Sequence, residues 1–589
     1  MVNGVGAVHK LLGMPTLRIA LAQTNPIMGA FVENMAAAVD VVRRASAEGA
    51  DLVALGEMAL SGYPIEDLAT RPAFLAASAR HVRELAQALE AEGLGDIPVV
   101  IGFPDGPFKA RPEDRGTSPV AIAQNCAAVL FRGELIARQA KFHLPNYSVF
   151  DEYRNFIPGD ELVVLRVGDV DVALAICEDI WRDGGPASRV ASADAGVLLV
   201  INGSPYERDK DDVRLPLVKR RAKETDTVVA YVNIVGGQDD LVFDGDSVVV
   251  DRSGRILARA PQFREHLLVV DVEAQEVSEP TVLDGVVRVS VPKHERVRPT
   301  VARDVAVPPH DLQQIWQALG LGLADYVRKN RFPSVILGLS GGIDSSVIAS
   351  LAADALGPTR VVGVGMPSRY SSEHSRSDAD DLADRIGLRY RVEPIEDLVV
   401  PFERQLHLQG LAAENIQARA RGLILMALSN QEGHLVLTTG NKSEVSVGYS
   451  TIYGDSVGGF APLKDVPKML VWELARWRNE AAVERGETPP IPENSISKPP
   501  SAELRVDQTD QETLPSYEVL DDILDRYITH RRSKQELLDA GFDPKVVEQA
   551  VTLTDRSEWK RRQSAIGPKI SQMAFGRDRR LPITYRPED

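Results

Sequence analysis

Short apolar segments alternate with longer amphipathic segments over most of the chain. The short ones are rich in β-branched residues, which is typical of buried strands, and the longer ones place apolar residues three and four positions apart, which predicts helices. The predicted strands of the first half are 17–23, 51–55, 98–103, 121–131, 134–140, 171–176, 197–201, 227–235 and 246–251, and the predicted helices are 32–47, 73–92, 186–194 and 213–225. Strands separated by helices of this length predict a layered α/β architecture.

The same alternation returns after a stretch with several prolines. Residues 274–308 have little periodicity, which indicates an ordered linker of extended pieces. We therefore predict an N-terminal extension, a first domain, a linker and a second domain at residues 1–14, 15–290, 291–308 and 309–589. In the second domain the predicted strands are 334–339, 361–366, 389–393 and 435–439, and the predicted helices are 310–329, 347–356, 377–387 and 413–430. This order predicts a doubly wound parallel sheet that binds ligands at the carboxyl ends of its strands.

The composition is that of a soluble globular protein with more than one domain. The chain has 589 residues, 44% of them hydrophobic, and a mean hydropathy of −0.13. Its net charge of −17 argues against a nucleic-acid-binding surface, although a local basic pocket could still bind a nucleotide. The two cysteines give no disulfide framework, and no apolar run reaches the roughly 18 residues of a membrane span. We therefore expect a cytoplasmic protein that contacts neither nucleic acid nor membrane.

A turn with two glycines follows the first predicted strand of the second domain. Residues 334–346 read S-V-I-L-G-L-S-G-G-I-D-S-S, so an apolar strand leads into Ser340, Gly341 and Gly342 ahead of a helix. Free backbone N–H groups in such a turn and at a helix N-terminus bind phosphate. Asp344 is unusual there, because a carboxylate repels phosphate unless a divalent cation lies between them. For the glycines alone, an ordinary turn is the alternative.

Three residues of the first domain form a candidate catalytic set. Glu57, Lys141 and Cys177 each come directly after an apolar segment, where α/β folds display reactive groups. A thiolate is a competent nucleophile, a carboxylate can take its proton, and an ammonium can stabilise an oxyanion. The set would suffice for amide hydrolysis through a thioester. Taken singly, each residue also fits a structural role, as does Cys126 in its alternating strand.

The motifs around these residues resemble the nitrilase/amidase superfamily. They are G-E-M at 56–58, K-F-H-L-P-N-Y at 141–147, F-D-E at 150–152 and C-E-D-I-W at 177–181. The resemblance implies an αββα sandwich with four catalytic residues, namely the base Glu57, the oxyanion stabiliser Lys141, the nucleophile Cys177 and the accessory Glu152. Resemblance to the glutaminase branch further implies glutamine contacts at Tyr147, Ser204 and Lys210.

The second domain resembles two nested families. Its turn is similar to the S-G-G-x-D-S loop of the ATP pyrophosphatase (PP-loop) enzymes, and G-N-K-S-E-V-S-V-G-Y-S-T-I-Y-G-D at 440–455 resembles the signature of NAD synthetases. Further matching stretches lie at 415–421, 462–468, 499–505, 507–517 and 559–564. Over about residues 16–589 the chain thus resembles the bacterial glutamine-dependent NAD(+) synthetases. That resemblance implies amidation of deamido-NAD (nicotinic acid adenine dinucleotide) with ATP and glutamine-derived ammonia, which yields AMP, pyrophosphate and glutamate.

The resemblance also implies which residues bind these substrates. Contacts to ATP are implied at Gly338, Leu339, Ser340, Gly341, Gly342, Ile343, Asp344, Ser345, Thr439, Lys468 and Ser501, and contacts to deamido-NAD at Asn415, Glu444 and Lys560. Asp344 and Glu444 would together ligate Mg²⁺. Lys464 and Lys468 are candidate contacts to pyrophosphate. A homo-oligomer with an enclosed ammonia tunnel between the two sites is also implied.

Two other functions remain open at this point. One is a different PP-loop amidotransferase, of the GMP synthetase or thiolation type, although the 440–455 stretch argues against it. The other is a nitrilase-type hydrolase whose second domain only senses ATP, although a sensor has no need of Asp344, Glu444 and Lys468 together. Pyrophosphate release that depends on added deamido-NAD would separate both from NAD synthesis.

Overall fold

The computed structural model describes residues 14–109, 121–208, 210–275, 282–505 and 508–585, which form two compact units. The first unit contains the described residues within Met1–Ser204, Asp209–Val235 and Phe243–Pro308, and the second those within Pro205–Arg208, Gly236–Val242 and Pro309–Asp589. Apart from Met14, the predicted N-terminal extension lies outside the described residues. None of the helices in the described ranges has the length and hydrophobicity that crossing a membrane would require.

Two sheets and the helices around them form the first unit. The strands before residue 300 are β1 (Thr16–Gln23), β2 (Leu52–Leu55), β3 (Val99–Asp105), β4 (Gln124–Phe131), β5 (Glu134–Ala140), β6 (Leu162–Val167), β7 (Val170–Ile176), β8 (Val197–Asn202), β9 (Val228–Asn233), β10 (Val235–Gln238), β11 (Leu241–Asp244), β12 (Val248–Val250), β13 (Ile256–Arg259), β14 (His266–Glu273) and β15 (Val286–Val291). The helices are α1 (Phe31–Ala47), α2 (Pro72–Ala91), α3 (Glu152–Asn155), α4 (Gly185–Arg189) and α5 (Asp211–Thr225).

The two sheets pack face to face between layers of helices. Their strand orders are β14-β1-β2-β3-β4-β5 and β13-β12-β9-β8-β7-β6-β15. β10 and β11 pair with each other in a separate two-stranded sheet, and most of their residues belong to the second unit. Leu21 of the first sheet and Leu174 of the second belong to one buried cluster between them. Val42 of α1 packs on the outer face of the first sheet, and Val218 of α5 packs on that of the second. This arrangement confirms the predicted αββα sandwich.

Four strands of this sandwich were not predicted from the sequence, namely β6, β13, β14 and β15. β14 pairs antiparallel with β1, and β15 pairs parallel with β6 at the edge of the second sheet. The predicted linker that follows runs along the first unit, where Arg298 Nη2 lies 2.6 Å from Asp51 Oδ1 and the Ala306 N–H donates to Arg259 O. The exact limits of the domains and linker stay a prediction.

After residue 309, the described part of the second unit has a four-stranded sheet and many helices. Its strands are β16 (Val335–Gly338), β17 (Val361–Gly365), β18 (Arg389–Val392) and β19 (Leu435–Val436). Its helices are α6 (Asp311–Lys329), α7 (Ile343–Leu356), α8 (Glu373–Ile386), α9 (Glu396–Leu406), α10 (Leu411–Glu432), α11 (Lys442–Val447), α12 (Lys468–Glu484), α13 (Glu493–Ser497), α14 (Tyr517–Leu524), α15 (Lys534–Asp539), α16 (Pro544–Arg556) and α17 (Glu558–Arg561).

The sheet of the second unit is parallel and buried on both faces. The strand order is β18-β17-β16-β19, and each neighbouring pair is parallel. Ile336 packs with Ala420 and Leu425 of α10 on one face, while Val335 and Leu337, which point the other way, are also fully buried. Helices therefore cover both faces, which confirms the predicted doubly wound sheet.

Candidate active sites

The candidate nucleophile occupies a strained turn at the end of a buried strand. β7 ends at Ile176, and Cys177 opens a short 3₁₀ turn over Cys177–Ile180 with φ of 44°. A positive φ is uncommon for a residue other than glycine and persists only where the surrounding structure enforces it. Cys177 itself is almost fully buried at this turn.

Two glutamates and a lysine form a closed ionic cluster in the same unit. Lys141 Nζ lies 2.8 Å from Glu57 Oε1 and 3.0 Å from Glu152 Oε1. Glu57 also accepts hydrogen bonds from Asn125 Nδ2 at 2.6 Å and from the Gly203 N–H at 2.8 Å. All five residues are buried, so the structure brings the predicted catalytic glutamates and lysine together and holds them rigidly.

Burial and charge keep the Cys177 thiol protonated at rest. Burial raises the pKa of Cys177 well above its usual value, and Glu57 raises it further, while Lys141 only partly opposes them. For Lys141, burial disfavours the ammonium, but Glu152 and Glu57 outweigh it and hold its pKa well above the usual value. Burial raises the pKa of Glu152 to about 7. The thiol therefore needs a base, and Glu57 is the carboxylate that acts on it most strongly.

Two of the three predicted glutamine contacts lie beside elements of this site. Tyr147 Oη donates to Glu178 Oε2 at 2.9 Å, and Glu178 directly follows the candidate nucleophile Cys177. Ser204 is buried after β8, and its N–H donates to Asn233 Oδ1 at 2.9 Å. Lys210 lies at the residue before α5. Two of the three are thus placed next to site elements, and the glutamine contacts themselves stay a prediction.

The PP-loop joins β16 to α7 in the second unit. α7 begins at Ile343 rather than at Val347 as predicted, so Ile343, Asp344 and Ser345 form the first helical turn instead of continuing the loop. An acidic residue is favourable in a first turn because it faces the positive end of the helix dipole. Gly341 has φ of 73°, and a Cβ there would lie 2.3 Å from Ser375 O, so this position requires glycine.

A second buried lysine connects this loop to the 440–455 motif. Lys468 Nζ lies 2.5 Å from Asp344 Oδ2 and 3.2 Å from Glu444 Oε1, and Asn441 Nδ2 donates to Asp344 Oδ1 at 2.9 Å. Burial raises the pKa of Glu444 to about 8. Burial alone would lower the pKa of Lys468, but Asp344 and Glu444 raise it above the usual value. The structure thus unites the predicted metal ligands with a predicted ATP contact.

A cavity beside this cluster contains two of the predicted deamido-NAD contacts. Glu444 and Lys560 both line it, together with Lys464 and Asp455. Asn415, the third predicted contact, accepts a hydrogen bond from Thr451 Oγ1 at 2.8 Å. Thr451 is close in sequence to Asp455, which lines the cavity. The cavity therefore borders the Lys468 cluster through the shared residue Glu444.

The remaining predicted ATP contacts lie on loops around the PP-loop. Thr439 follows Thr438, which lines the cavity. Ser501 Oγ accepts from the Glu503 N–H at 3.1 Å. Glu503 Oε1 in turn accepts from Ser375 Oγ at 2.6 Å, and Ser375 is the residue packed against Gly341.

Several residues of the two sites were not predicted from the sequence. Asn125 and Asn441 each orient a predicted carboxylate, and Asp510 accepts hydrogen bonds from Tyr517 Oη at 2.9 Å and Tyr449 Oη at 3.2 Å beside the Lys468 cluster. Asn441 and Asp510 fall within the motif stretches 440–455 and 507–517, so the motifs mark the region but not the role. Asn125 lies in a strand, where nothing local distinguishes it.

Comparisons with known proteins agree with the order of the two units. The carbon-nitrogen hydrolase family model matches residues 18–279, and the NAD synthase model matches residues 315–564. The glutamine-dependent NAD(+) synthetase of Thermotoga maritima is 42% identical over 97% of this chain and 99% of its own length. The chain belongs to the glutamine-dependent NAD(+) synthetases.

Other members of the family match over the same extent. The glutamine-dependent NAD(+) synthetase of Rhodobacter capsulatus is 44% identical over 97% of this chain and 99% of its own length. The solved structure of the Acinetobacter baumannii glutamine-dependent NAD(+) synthetase, in complex with adenosine diphosphate, has a TM-score of 0.71 at 37% identity, and the match covers 97% of this chain and 98% of that chain. The family assignment confirms the resemblance drawn from the motifs and favours neither alternative function.

Proposed function

We propose that this member of the glutamine-dependent NAD(+) synthetases amidates deamido-NAD to NAD(+), with ATP as co-substrate and ammonia released from glutamine by its first unit. The observation that carries the proposal is the Asp344–Lys468–Glu444 cluster, because it connects a phosphate-binding turn to the 440–455 motif and to the cavity beside it. The first unit adds a separate amide-cleaving site. The limits proposed for the two domains are 15–290 and 309–589, joined by 291–308.

Glutamine hydrolysis runs through a thioester on Cys177. Glu57 takes the thiol proton while Sγ attacks the amide carbon, and the Lys141 ammonium stabilises the oxyanion. Glu57 then passes that proton to the leaving nitrogen, so ammonia departs and the thioester remains. Water attacks the thioester and gives a proton to Glu57, which returns it to the thiolate as glutamate leaves. Glu152 holds Lys141 from its other side.

Glutamine itself is held by residues around the nucleophile. Tyr147 and Ser204 supply hydroxyl groups, and Lys210 supplies a cation for the glutamine carboxylate. Support for Tyr147 comes from its hydrogen bond to Glu178, the neighbour of Cys177.

NAD(+) formation runs through an adenylate at the second site. A nicotinate carboxylate oxygen attacks the α-phosphorus of ATP, and pyrophosphate leaves. Ammonia then attacks the activated carbonyl carbon, and AMP leaves. The residues that contact ATP are Gly338, Leu339, Ser340, Gly341, Gly342, Ile343, Asp344, Ser345, Thr439, Lys468 and Ser501, and those that contact deamido-NAD are Asn415, Glu444 and Lys560.

Asp344 and Glu444 suit a magnesium ion. Their carboxylates converge on one point, at which Lys468 Nζ supplies the balancing charge. Among the described residues, no group of three or more His, Cys, Asp or Glu side chains could hold a metal. Mg²⁺ commonly takes one or two carboxylates and completes its shell with water and substrate phosphates. When bound by these two residues, it would offset the negative charge of the phosphates.

The wider setting of the reaction follows from the chemistry of its parts. Ammonia free in water at neutral pH is mostly ammonium, which is no nucleophile, so an enclosed route for ammonia between the sites is expected. The enzyme acts as a homo-oligomer, as the family resemblance implies. A cytoplasmic location suits the free thiols of Cys126 and Cys177, because a reducing compartment keeps them from oxidising.

Pyrophosphate release tests this function directly. With ATP, Mg²⁺ and an ammonium salt, release should require added deamido-NAD and should yield one NAD(+) for each pyrophosphate. With glutamine in place of ammonium, glutamate should appear in the same ratio or in excess. Glutamine hydrolysis with no release of pyrophosphate in the presence of deamido-NAD would point instead to a hydrolase that senses ATP.

A further inference from the structure

One buried carboxylate of the first unit is hydrogen-bonded to the backbone of two segments, one containing Lys141 and the other Cys177. Asp179 is fully buried in the 3₁₀ turn after β7. Its Oδ1 accepts the N–H groups of Phe142 at 3.0 Å and His143 at 2.9 Å. Its Oδ2 accepts the N–H of Ile176 at 3.1 Å. All three bonds go to backbone donors on two separate segments.

The positions of these donors give the carboxylate its importance. Phe142 and His143 directly follow Lys141, and Ile176 directly precedes Cys177. The two segments are far apart along the chain. Asp179 therefore fixes the backbone beside the oxyanion-stabilising lysine against the backbone beside the nucleophile. The bond to Ile176 also closes the turn in which Cys177 is held at positive φ.

We infer that Asp179 is a positioning residue for glutamine cleavage, which sets Lys141 against Cys177 through these three backbone hydrogen bonds. The inference rests on the proposed function, since it assumes that Cys177 and Lys141 cleave glutamine. A carboxylate is needed because both of its oxygens accept hydrogen bonds. Burial raises the pKa of Asp179 to about 6, and the three N–H donors oppose that rise, so at neutral pH the group serves as an acceptor on both oxygens.

Asp179→Asn tests the inference with the least change in shape. The amide oxygen can still accept from Phe142 and His143, but the amide NH₂ then faces the Ile176 N–H, donor against donor. A displacement of about 1 Å in a catalytic group can cost ~10²-fold in rate. We therefore expect kcat for glutamine hydrolysis to fall ~10²-fold, with KM for glutamine changed less than ~3-fold. Synthesis from an ammonium salt should stay within ~2-fold in the same preparation.

Asp171→Asn is the matched control, because Asp171 is also buried and lies on β7, at the end away from Cys177. It pairs with Arg166 and Arg288, so its loss should lower the melting temperature and leave kcat within ~2-fold. If Asp171→Asn reduced kcat as much as Asp179→Asn, the effect would be general destabilisation and the inference would be wrong. Should Asp179→Asn prove insoluble, Asp179→Ser, which keeps one small acceptor, is measured in the same way.

A double-variant cycle shows whether Asp179 acts through Lys141. Radiolabelled glutamine allows low residual rates to be measured in Lys141→Gln. We expect Asp179→Asn to cost less than ~3-fold in that background, because the lysine it positions is gone. An equal cost in both backgrounds, or full kcat in Asp179→Asn alone, would overturn the inference. If Cys177→Ala still used glutamine, the proposed function would fail together with the inference. If Cys177→Ala lost glutamine use while Asp179→Asn kept full activity, only the role of Asp179 would be refuted.

Discussion

A buried lysine lies between two carboxylates in each of the two units, and the two clusters differ in their exposure to solvent. Lys141 Nζ lies 2.8 Å from Glu57 Oε1 and 2.9 Å from Glu152 Oε2, and these glutamate side chains are 0% and 4% exposed. Lys468 Nζ lies 2.5 Å from Asp344 Oδ2 and 3.2 Å from Glu444 Oε1, and both of these carboxylate side chains are 17% exposed. A lysine and its two carboxyl groups are therefore sealed from solvent in one site and partly open to it in the other.

The difference in exposure matches the chemistry that each site is proposed to perform. A sealed, hydrogen-bonded cluster stabilises charge that develops in a transition state without reorganising, as amide cleavage requires. A partly open cluster can exchange its contacts when a cation and a phosphate arrive, as ATP activation requires. Asn125 and the Gly203 N–H add to the rigidity of Glu57. In the proposed mechanism, exposure to solvent rather than the types of residue distinguishes the roles of the two lysines.

The largest expected effect separates the two sites completely. Cys177→Ala removes the proposed nucleophile, so glutamine-dependent NAD(+) synthesis should fall by at least ~10³-fold. Synthesis from an ammonium salt at mildly alkaline pH should persist, because the second unit needs only neutral ammonia. Steady-state assays with each nitrogen source measure this. Glu57→Ala and Lys141→Ala should give the same split, while Cys126→Ala should keep both activities. A folded Cys177→Ala that lost both activities would show that the sites are not separable.

The next effect should appear with both nitrogen sources. Asp344→Asn keeps the size of the side chain but removes the charge that would hold Mg²⁺ and that pairs with Lys468. We expect NAD(+) synthesis to fall at least ~10²-fold with glutamine and with ammonium alike. Pyrophosphate release gives the rate, and hydrolysis of glutamine in the same sample reports on the first unit. Near-normal synthesis at saturating Mg²⁺ would contradict the role given to Asp344.

A smaller change should follow from the partner carboxylate. Glu444→Gln keeps a hydrogen-bond acceptor near Lys468 but removes the carboxylate that would ligate Mg²⁺, so the Mg²⁺ concentration for half-maximal synthesis should rise ~10-fold. The KM for deamido-NAD should rise too, because Glu444 lines the cavity that contains Lys560. Magnesium titrations at fixed ATP test this, and glutamine hydrolysis should remain measurable. If only glutamine hydrolysis declined, Glu444 would have been assigned to the wrong site.

The smallest effect concerns stability and its dependence on pH in the sealed cluster. The folded-state pKa of Glu152, about 7, lies above the ordinary value of 4.5, so the folded protein binds this proton more tightly than the unfolded chain. The stability that Glu152 contributes is therefore fully present when the pH is below its ordinary pKa of 4.5, and it is lost as the pH rises through the folded-state pKa of about 7. In Glu152→Gln this dependence is absent. The free energy of unfolding of the wild type minus that of Glu152→Gln should fall by on the order of 2 kcal/mol between pH 5 and pH 7.5.

Melting temperatures of both proteins across this pH range, with the transition of the first unit resolved, provide the measurement. Asp171→Asn serves as a control, since its carboxylate pairs with two arginines and not with the cluster. A difference between wild type and Glu152→Gln that stayed constant from pH 5 to 7.5 would mean that Glu152 does not take up a proton in this range.

Much of the fold could be predicted because most strands are apolar on both faces. β2, β7 and β8 are buried throughout, and the apolar runs 52–55, 172–176 and 197–201 within them are visible in the sequence. β15 was missed because it lies at a sheet edge, where half its residues need not be apolar, and because it adjoins a segment rich in prolines. The start of α7 was misplaced because Ser340, Gly341 and Gly342 break the apolar pattern, while the first helical turn is polar.

The sequence by itself determined the class of each unit, the order of the two units, and the residues of chemical interest at the ends of strands. These depend on local periodicity and on motifs whose members are close along the chain. Only the tertiary structure decided that Asn125 and the Gly203 N–H bind Glu57, that Lys468 joins Asp344 to Glu444, and that Asp179 connects two distant segments. Such contacts depend on strand order and on which side chains share a buried space, and neither leaves a periodic trace in the sequence.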